Sequence, residues 1–264
     1  MNNLLSKIGY KLISRYSSRN DFIRFSKDHF QPISVFPVGV GEFTYDRDGL
    51  YTLHNSDFIK DPLFAEAYKF GKATGSWGDA DVEWRAYIAC WVAAKVKGLE
   101  GDFVECGVNR GGLSRTVIHY VDFNSLGKKF YLLDTFQGLD EKYISKEEKK
   151  LNINPGVYEE CYDAVKETFK PFNVQIIKGS VPETLDEVKS QKVCYLSIDM
   201  NCVEPEIAAA EFFWDKLVSG GIMILDDYGW SMYYEQKKAF DNFAIQKGVK
   251  VLSLPTGQGL IFKP

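Results

Sequence analysis

Three carboxylates follow the ends of two strongly apolar segments in the second half of the chain. Residues 222–225 run directly into Asp226 and Asp227, and an earlier apolar segment ends at Asp199 in YLSIDMN. Such segments are typical of strands buried on both faces of a parallel sheet, and the carboxyl ends of neighbouring strands meet where ligands bind. Ionised acids that are brought together repel one another unless one is protonated or a cation lies between them. Carboxylate oxygens are the ligands that Mg²⁺ prefers, so we predict a Mg²⁺ site formed by Asp199, Asp226 and Asp227.

Such a site would activate a hydroxyl group of the substrate. A bound Mg²⁺ contacts substrate oxygens and lowers the pKa of a hydroxyl, as metal ions do for bound water. The alternative is a structural role, in which Asp226 or Asp227 caps the turn before the next helix and Asp199 pairs with a lysine. The coincidence of three acids at neighbouring strand ends favours the metal site.

A second group of residues could bind a ligand through the backbone. The segment FVECGVNRGGLS places Glu105, Gly107, Gly111 and Gly112 at a turn from a strand to a helix. Glycines let a ligand approach the main chain, and a helix N-terminus favours a carboxylate or a phosphate. The spacing G-x-x-x-G-G differs from the G-x-G-x-x-G of dinucleotide sites, and a plain tight turn is the alternative interpretation.

The next apolar segment ends at Asp134, where a carboxylate can accept hydrogen bonds from ribose hydroxyls. With the glycine turn it indicates an adenosine-containing ligand, either NAD or S-adenosylmethionine. Glu105 would repel a pyrophosphate, and this favours S-adenosylmethionine. A third strand segment ends in KGSVPETL, beside the predicted adenine pocket. The other residues predicted to bind this cofactor are Val108, Asn109, Ser114, Thr135, Phe136, Gly179, Ser180, Val181 and, from the acid group, Asp199.

From about residue 81, predicted strands and helices alternate regularly along the chain, and these elements must position the residues named above. A helix is predicted in DVEWRAYIACWVAAKVKG, and others near 113–122, 159–169, 205–218 and 233–247. Strands are predicted in DFVECG, KFYLLD, NVQIIKG, KVCYLSID, GGIMILDD, VKVLSLP and GLIFK. This alternation predicts a Rossmann-like, doubly wound α/β sheet. Only TGQ joins the last two strands, too short for a crossover, so the seven-stranded sheet should be mostly parallel with one antiparallel strand near the C-terminus. The hairpin also has no place in the six-stranded dinucleotide fold.

Residues 1–80 are predicted to be an N-terminal extension of helix and loops, and residues 81–264 the catalytic domain. The first thirty residues carry six basic residues against two acids, with apolar residues at helical spacing. We expect a basic amphipathic helix that packs on its own core or on another subunit of a homo-oligomer. The alternative is peripheral contact with an anionic membrane surface or an acidic partner. Residues 31–80 read as loops and short helices.

Composition excludes several classes of protein. A net charge of −4 gives no support for nucleic-acid binding. The five cysteines are scattered without a CxxC pair, which argues against a disulfide framework and a zinc site and indicates a reducing compartment. There is neither an apolar run long enough to span a membrane nor a signal-peptide pattern, so we predict a cytoplasmic protein.

Taken together, GDFVECGVNRGG, LLDTFQGL, SIDMN and GGIMILDDYGW resemble the macrocin/mycinamicin O-methyltransferase family, whose members are class I S-adenosylmethionine-dependent enzymes. The resemblance covers about residues 81–264. It implies that Glu105, Gly107, Gly111 and Asp134 bind S-adenosylmethionine and that the three carboxylates hold Mg²⁺. It further implies methyl transfer to a sugar hydroxyl, with Asp199 as the proton acceptor.

The sequence indicates the methyl donor more closely than it indicates the substrate that accepts the methyl group. Tyr228, Trp230, Tyr233 and Tyr234 follow the acid pair and could form an aromatic wall for a sugar, the alternative being core packing or surface positions. Asn109 stands where macrolide-acting relatives tend to carry a large aromatic residue. The expected acceptor is therefore a nucleotide-linked sugar, a surface glycan in polysaccharide biosynthesis, or a glycosylated natural product. Alternatives are a metal-dependent O-methyltransferase of catechol-like phenols, a non-catalytic S-adenosylmethionine-binding protein and an NAD oxidoreductase.

Overall fold

The structure is a computed structural model, and it describes residues 43–151, 153 and 158–264. The chain divides into two units, Met1–Glu42 and Phe43–Pro264, and every described residue belongs to the second. The predicted basic helix within the first thirty residues therefore lies outside the described residues. Residues 43–80, which the sequence assigns to the extension, fold in the same unit as the sheet.

The described unit begins with a short antiparallel hairpin of β1 (Tyr45–Arg47) and β2 (Leu50–Thr52). The helices that follow are α1 (Pro62–Lys72), α2 (Glu83–Val96), α3 (Gly112–Tyr120), α4 (Lys146–Lys150), α5 (Tyr162–Phe169), α6 (Val203–Trp214) and α7 (Tyr234–Lys247). None of the helices in the described ranges is long and apolar enough to cross a lipid bilayer.

A seven-stranded sheet lies at the centre of this unit. Its strands are β3 (Asp102–Cys106), β4 (Phe130–Asp134), β5 (Val174–Lys178), β6 (Val193–Ile198), β7 (Leu217–Leu225), β8 (Leu252–Ser253) and β9 (Gly259–Phe262). Their order is β5-β4-β3-β6-β7-β9-β8. Strands β3 to β7 pair in parallel, and β9 is antiparallel to both β7 and β8. The predicted doubly wound sheet with one antiparallel strand near the C-terminus is confirmed.

The sheet is covered on both faces because alternate strand residues point to opposite sides. Phe103 and Tyr195 pack in one hydrophobic cluster with α2, α3 and α5. Val104 and Leu196, each the next residue along its strand, pack in another with α6 and α7. All six residues of β6 are buried, as expected for a central strand of a parallel sheet.

Strand register places the predicted site residues at one edge. The last residues of β3, β6 and β7 pair with one another in register. The next residues in the chain, Gly107, Asp199 and Asp226, therefore follow three adjacent strands at the same edge of the sheet.

Two details differ from the prediction. Helix α6 ends at Trp214 rather than at residue 218, because Leu217 already pairs with Val193 in the sheet. Residues 43–80, which the sequence predicts to be loops and short helices, also contain the β1–β2 hairpin, and their helix α1 has eleven residues. Helix α1 has Pro62 in its first turn and Asp61 as a side-chain N-cap, the usual start signals of a helix.

Candidate active site

A cavity of about 430 Å³ opens at the carboxyl edge of the sheet. The ends of β3, β4 and β5 form what we call the donor half, and the ends of β6 and β7 form the reaction half. All but two of the residues predicted to bind cofactor or metal line this cavity. These are Glu105, Gly107, Val108, Asn109, Gly112, Asp134, Thr135, Phe136, Gly179, Ser180, Val181, Asp199, Asp226 and Asp227.

The two exceptions, Gly111 and Ser114, support the turn from behind. Gly111 has a φ of +85° and lies so close to Phe169 that a Cβ there would be 2.3 Å from the ring. Ser114 is fully buried, and its hydroxyl donates a hydrogen bond to Glu105. Both residues therefore shape the donor half without facing its cavity.

Gly107 is where the two halves touch. Its φ is +89°, and a Cβ at this position would lie 1.8 Å from the carbonyl oxygen of Asp199. Real Cβ atoms do not approach a backbone oxygen this closely, so the position requires glycine for two independent reasons. The cofactor turn and the predicted proton acceptor are thus in direct main-chain contact.

Asp134 organises the donor half through the backbone. Its Oδ2 accepts hydrogen bonds from the N–H groups of Val108 (2.6 Å) and Asn109 (2.7 Å), and its Oδ1 accepts one from Phe136 (2.7 Å). Thr135 Oγ1 lies 3.3 Å from Oδ1 and also bonds to the carbonyl oxygen of Gly138. A carboxylate offers about four lone-pair sites, so when the Thr135 proton is directed to Gly138 the group can accept a bond from a ribose hydroxyl. The predicted ribose acceptor is placed at the cavity and held rigidly there.

Glu105 differs from an ordinary surface acid. It is 2% exposed. Burial raises the pKa of its carboxyl to about 8, an effect partly offset by the hydrogen bond from Ser114. Near neutral pH a large share of Glu105 is therefore protonated, and its carboxyl group can then donate a hydrogen bond as well as accept one.

The reaction half brings Asp199, Asp226 and Asp227 together. Burial first, then the charges of Asp226 and Asp227, raise the pKa of Asp199 well above its usual range. Burial and the charge of Asp226 raise the pKa of Asp227 to about 7, although Arg85 acts in the opposite direction. The three carboxylates thus line one cavity at neighbouring strand ends, and their like charges are only partly compensated.

Arg85, in the first turn of α2, is a site residue that the sequence analysis missed. Its Nη1 donates to Asp226 Oδ2 at 2.6 Å and lies 3.6 Å from Asp227 Oδ1. Its Nε and Nη2 donate to both oxygens of Asp48, at 2.7 and 2.9 Å. Arg85 is therefore a resident cation between the hairpin and the acid pair.

Gln258 was also missed, because the turn TGQ was considered only as a connection between strands. The side chain is fully buried, and its Nε2 donates to Asp226 Oδ1 at 2.8 Å. Thr256 donates to the amide oxygen of Gln258 at 3.0 Å and fixes the orientation of that amide. The C-terminal hairpin thus contributes a side chain to the reaction half.

The loop that carries Asp199 is held by a buried acid of α6. Glu206 Oε1 accepts hydrogen bonds from the N–H groups of Met200 and Asn201, both at 2.9 Å, and from Nε2 of Gln236 at 2.7 Å. Asn201 in turn donates from Nδ2 to Asp199 Oδ1 at 3.3 Å. The position of Asp199 therefore depends on α6 and α7 as well as on β6.

Of the four aromatic residues predicted to form an acceptor wall, Trp230 and Tyr233 line the cavity. Tyr228 and Tyr234 do not: Tyr228 is buried beside Lys237 and Asp241, and Tyr234 is 62% exposed. Tyr158 and Met232, not predicted, complete the aromatic and apolar lining at this end. This end of the cavity therefore has an aromatic and apolar lining, formed by only two of the four predicted residues together with Tyr158 and Met232.

The fit of the reaction half to Mg²⁺ can be judged from its donors. Among the described residues, no group of three or more His, Cys, Asp and Glu side chains has an arrangement that would hold a metal ion. The charge balance nevertheless suits a hard cation, because Asp48, Asp199, Asp226 and Asp227 surround the single guanidinium of Arg85. The residues present therefore fit Mg²⁺ in the type of their donor atoms, which are carboxylate oxygens.

Comparison with known sequences identifies a family and a relative. The family model for macrocin-O-methyltransferase (TylF) matches residues 85–252, more than half of the chain. A 4'-O-methyltransferase of 8-demethyl-8-(2,3-dimethoxy-α-L-rhamnosyl)-tetracenomycin C from Streptomyces olivaceus is 26% identical over 151 residues. The match covers 53% of this chain and 57% of that relative, so the chain spans less than two thirds of the relative's length.

Solved structures with the same fold are also O-methyltransferases. The O-methyltransferase NovP superposes with a TM-score of 0.61 at 19% identity, over 78% of this chain and 97% of that one. The calicheamicin methyltransferase CalS11 gives a TM-score of 0.56 at 16% identity, over 83% of this chain and 96% of its own. At these identities the likeness establishes the fold.

Proposed function

The chain belongs to the macrocin O-methyltransferase family, and we propose that it transfers the methyl group of S-adenosylmethionine to a hydroxyl group of a sugar. The observation that carries this proposal is the contact of Gly107 with Asp199, which places a cofactor turn against a cluster of acids in one cavity. The named activity of the Streptomyces olivaceus relative, on a rhamnosyl group, supports a sugar as the acceptor.

The donor would occupy the half of the cavity built by β3, β4 and β5. We assign the ribose hydroxyls to Asp134, whose carboxylate is fixed by three backbone N–H groups. Gly107 and Gly112 allow the cofactor to approach the main chain, and Gly179, Ser180 and Val181 line the adenine end. The acidic lining also suits the positive charge of a sulfonium.

Methyl transfer requires the acceptor oxygen, the methyl carbon and the sulfur to lie in line. The new O–C bond forms as the C–S bond breaks, and the sulfur keeps the electron pair of that bond. Asp199 takes the proton of the acceptor hydroxyl, because it lies at the cavity in direct contact with the glycine turn of the donor half. Holding the two reactants in this geometry supplies much of the acceleration of such a transfer.

We further propose that Asp199 and the Asp226–Asp227 pair form a Mg²⁺ site, and a bound ion would supply a Lewis acid for the acceptor oxygen. The support is the excess of these carboxylates over the guanidinium of Arg85. Burial first, and then the neighbouring negative charges, raise the pKa values of Asp199 and Asp227. A divalent cation would relieve this repulsion. Asp226 already uses one lone pair on each oxygen for Arg85 and Gln258.

The acceptor side is formed by Trp230, Met232, Tyr233 and Tyr158. These side chains present apolar faces on which the C–H face of a sugar can pack. A nucleotide-linked sugar, a surface glycan and a glycosylated natural product are all compatible with this wall. The cytoplasmic location, the homo-oligomer and the membrane contact of the N-terminal helix stay predictions.

An acceptor panel tests the proposed function. The full chain is incubated with S-adenosylmethionine, Mg²⁺ and one of three acceptors: a rhamnosyl glycoside, a nucleotide-linked rhamnose or a catechol. Mass spectrometry measures the gain of a methyl group, and S-adenosylhomocysteine is measured in parallel. Methylation of either sugar supports the proposal, whereas methylation of the catechol alone contradicts it.

A further inference from the structure

The two adjacent acids after β7 lie in different surroundings. Asp226 is 3% exposed, and both of its carboxylate oxygens accept short hydrogen bonds, one from Arg85 and one from Gln258. Asp227 is more exposed, at 11% of its side chain, and its ion-pair contact with Arg85 is longer, at 3.6 Å. The pair is therefore divided into a fixed member and one that is freer to face the cavity.

The residues that hold Asp226 come from distant segments that meet at Trp230. The guanidinium carbon of Arg85 lies 5.8 Å from the centroid of the Trp230 ring. A Cβ on Gly49 would lie 2.8 Å from this ring, and one on Gly257 would lie 2.5 Å from it. The β1–β2 turn and the β8–β9 turn thus pack tightly against the same indole, which leaves Arg85 and Gln258 little freedom to move.

We propose that Gln258 and Arg85 are positioning residues, which hold Asp226 as a fixed carboxylate so that Asp227 and Asp199 bind the cation in the cavity. This inference rests on the proposed function, because it assigns roles within the proposed Mg²⁺ site. A carboxylate held on both oxygens, once by a charged donor, is oriented strongly. Because Asp227 is the next residue on the same turn, fixing Asp226 also restricts the main chain that carries Asp227.

The central test is Gln258→Met, which removes the donor to Asp226 with no change of charge and little change of length. Mn²⁺ serves as the probe, with binding measured by electron paramagnetic resonance on the full chain. Outer-shell partners of metal ligands typically contribute about tenfold or more to metal affinity, and we expect a loss of that size. The dissociation constant of S-adenosylmethionine should stay unchanged, since Gln258 does not line the cavity in the described structure.

Three further variants test whether a loss of Mn²⁺ affinity in Gln258→Met comes from the lost positioning of Asp226 or from another effect of the substitution. Gln175→Met on β5 makes the same chemical change away from the acids and should leave Mn²⁺ binding as it is. Thr256→Val removes the bond that orients Gln258 without touching Asp226, and a smaller loss is expected, so the inference can be tested even if Gln258→Met does not fold. Arg85→Lys keeps the charge but loses the two-pronged contact with Asp48, and it should also weaken Mn²⁺ binding.

The direct comparison is Asp226→Asn against Asp227→Asn. The inference predicts that Asp227→Asn loses Mn²⁺ binding while Asp226→Asn keeps it, weakened about tenfold as for an outer-shell change. An equal loss of Mn²⁺ affinity in both variants would overturn the inference, and so would a Gln258→Met variant that binds Mn²⁺ as tightly as the unsubstituted protein.

If the unsubstituted protein binds no Mn²⁺, the metal part of the proposed function fails. The positioning role is then judged on kcat for methyl transfer. Gln258→Met should lower kcat while the affinity for S-adenosylmethionine stays constant, and an unchanged kcat would refute the role.

Discussion

The donor half and the reaction half share one cavity but are built in different ways. In the donor half, Asp134 is held chiefly by three backbone N–H groups, two of them in the adjoining glycine turn, with the neighbouring Thr135 hydroxyl at 3.3 Å. In the reaction half, Asp226 is held by side chains, and these stand 141 residues (Arg85) and 32 residues (Gln258) away in the sequence. The donor half is therefore built by residues close together in the sequence, whereas the reaction half is built where distant segments of the chain meet.

The difference has consequences for how each half responds to substitution. Backbone donors are present whatever side chains surround them, so the donor half depends chiefly on its glycines and on Asp134. The reaction half depends on individual charged and amide side chains, each of which a single substitution removes. We therefore expect the two halves to fail separately, except where they are in contact.

The largest effect is expected where the halves meet, in Gly107→Ala. The added methyl group would lie 1.8 Å from the Asp199 carbonyl oxygen on a backbone with a φ of +89°, so the turn must move. Calorimetry should show loss of S-adenosylmethionine binding, and transfer should be lost with it. Gly98→Ala, where an added Cβ meets nothing within 4 Å, is the control and should behave like the unsubstituted chain. Retained cofactor affinity in Gly107→Ala would show that the two halves are independent even at this contact.

Removal of divalent cations should affect the reaction half alone. If the proposed Mg²⁺ site is correct, we expect EDTA to abolish methyl transfer, because the ion that would polarise the acceptor oxygen is then removed. The affinity for S-adenosylmethionine should be largely spared, since its proposed contacts lie at the ends of β3, β4 and β5. Transfer assays with and without added Mg²⁺, together with calorimetry of the cofactor, measure both quantities. Full activity in EDTA would remove the metal from the proposal.

Asp134→Asn should affect the donor half alone and to a smaller extent. The amide keeps an oxygen acceptor but directs an NH₂ group towards backbone donors, so one charge-assisted hydrogen bond is lost. We expect the affinity for S-adenosylmethionine to fall about tenfold, which is the usual effect of losing one such bond. Mn²⁺ affinity should not change. A fall in Mn²⁺ affinity of the same size would mean that the two halves are coupled through more than Gly107.

The same contrast explains what the sequence could predict. The strands of the sheet are apolar runs between helical segments, so the fold could be predicted from the sequence. The glycine turn and the acids at the strand ends are also local patterns, and they predicted most of the cavity lining. Arg85 and Gln258 carry no local signal, because their role exists only once α2 and the last hairpin pack beside β7. Asp48 could have been found: Asp48-Gly49, with φ values of +52° and +71°, is the Asp-Gly pair typical of two-residue hairpin turns.

The smallest effect concerns Glu105, the one buried acid at the border of the donor half whose partner, Ser114, is local. Burial raises the pKa of Glu105 to about 8, above the value of an unfolded chain. Between about pH 4.3, the ordinary glutamate pKa, and about pH 8 the folded state therefore binds more protons than the unfolded state at this group. Its contribution to the free energy of unfolding is thus highest at low pH and falls as pH rises through this window.

Glu105→Gln removes this titration, because the amide is neutral at every pH of the window and similar in shape to the protonated acid. Urea unfolding at several pH values should show a smaller fall in unfolding free energy towards pH 8 than in the unsubstituted chain. Glu183, exposed and with a pKa lowered by its hydrogen bond from Lys142, gives a control of opposite sign. Its Gln variant should gain no stability at pH 8. If Glu105→Gln instead lost stability there, Glu105 would be ionised in the folded state, and the donor half would contain a second fixed negative charge beside Asp134.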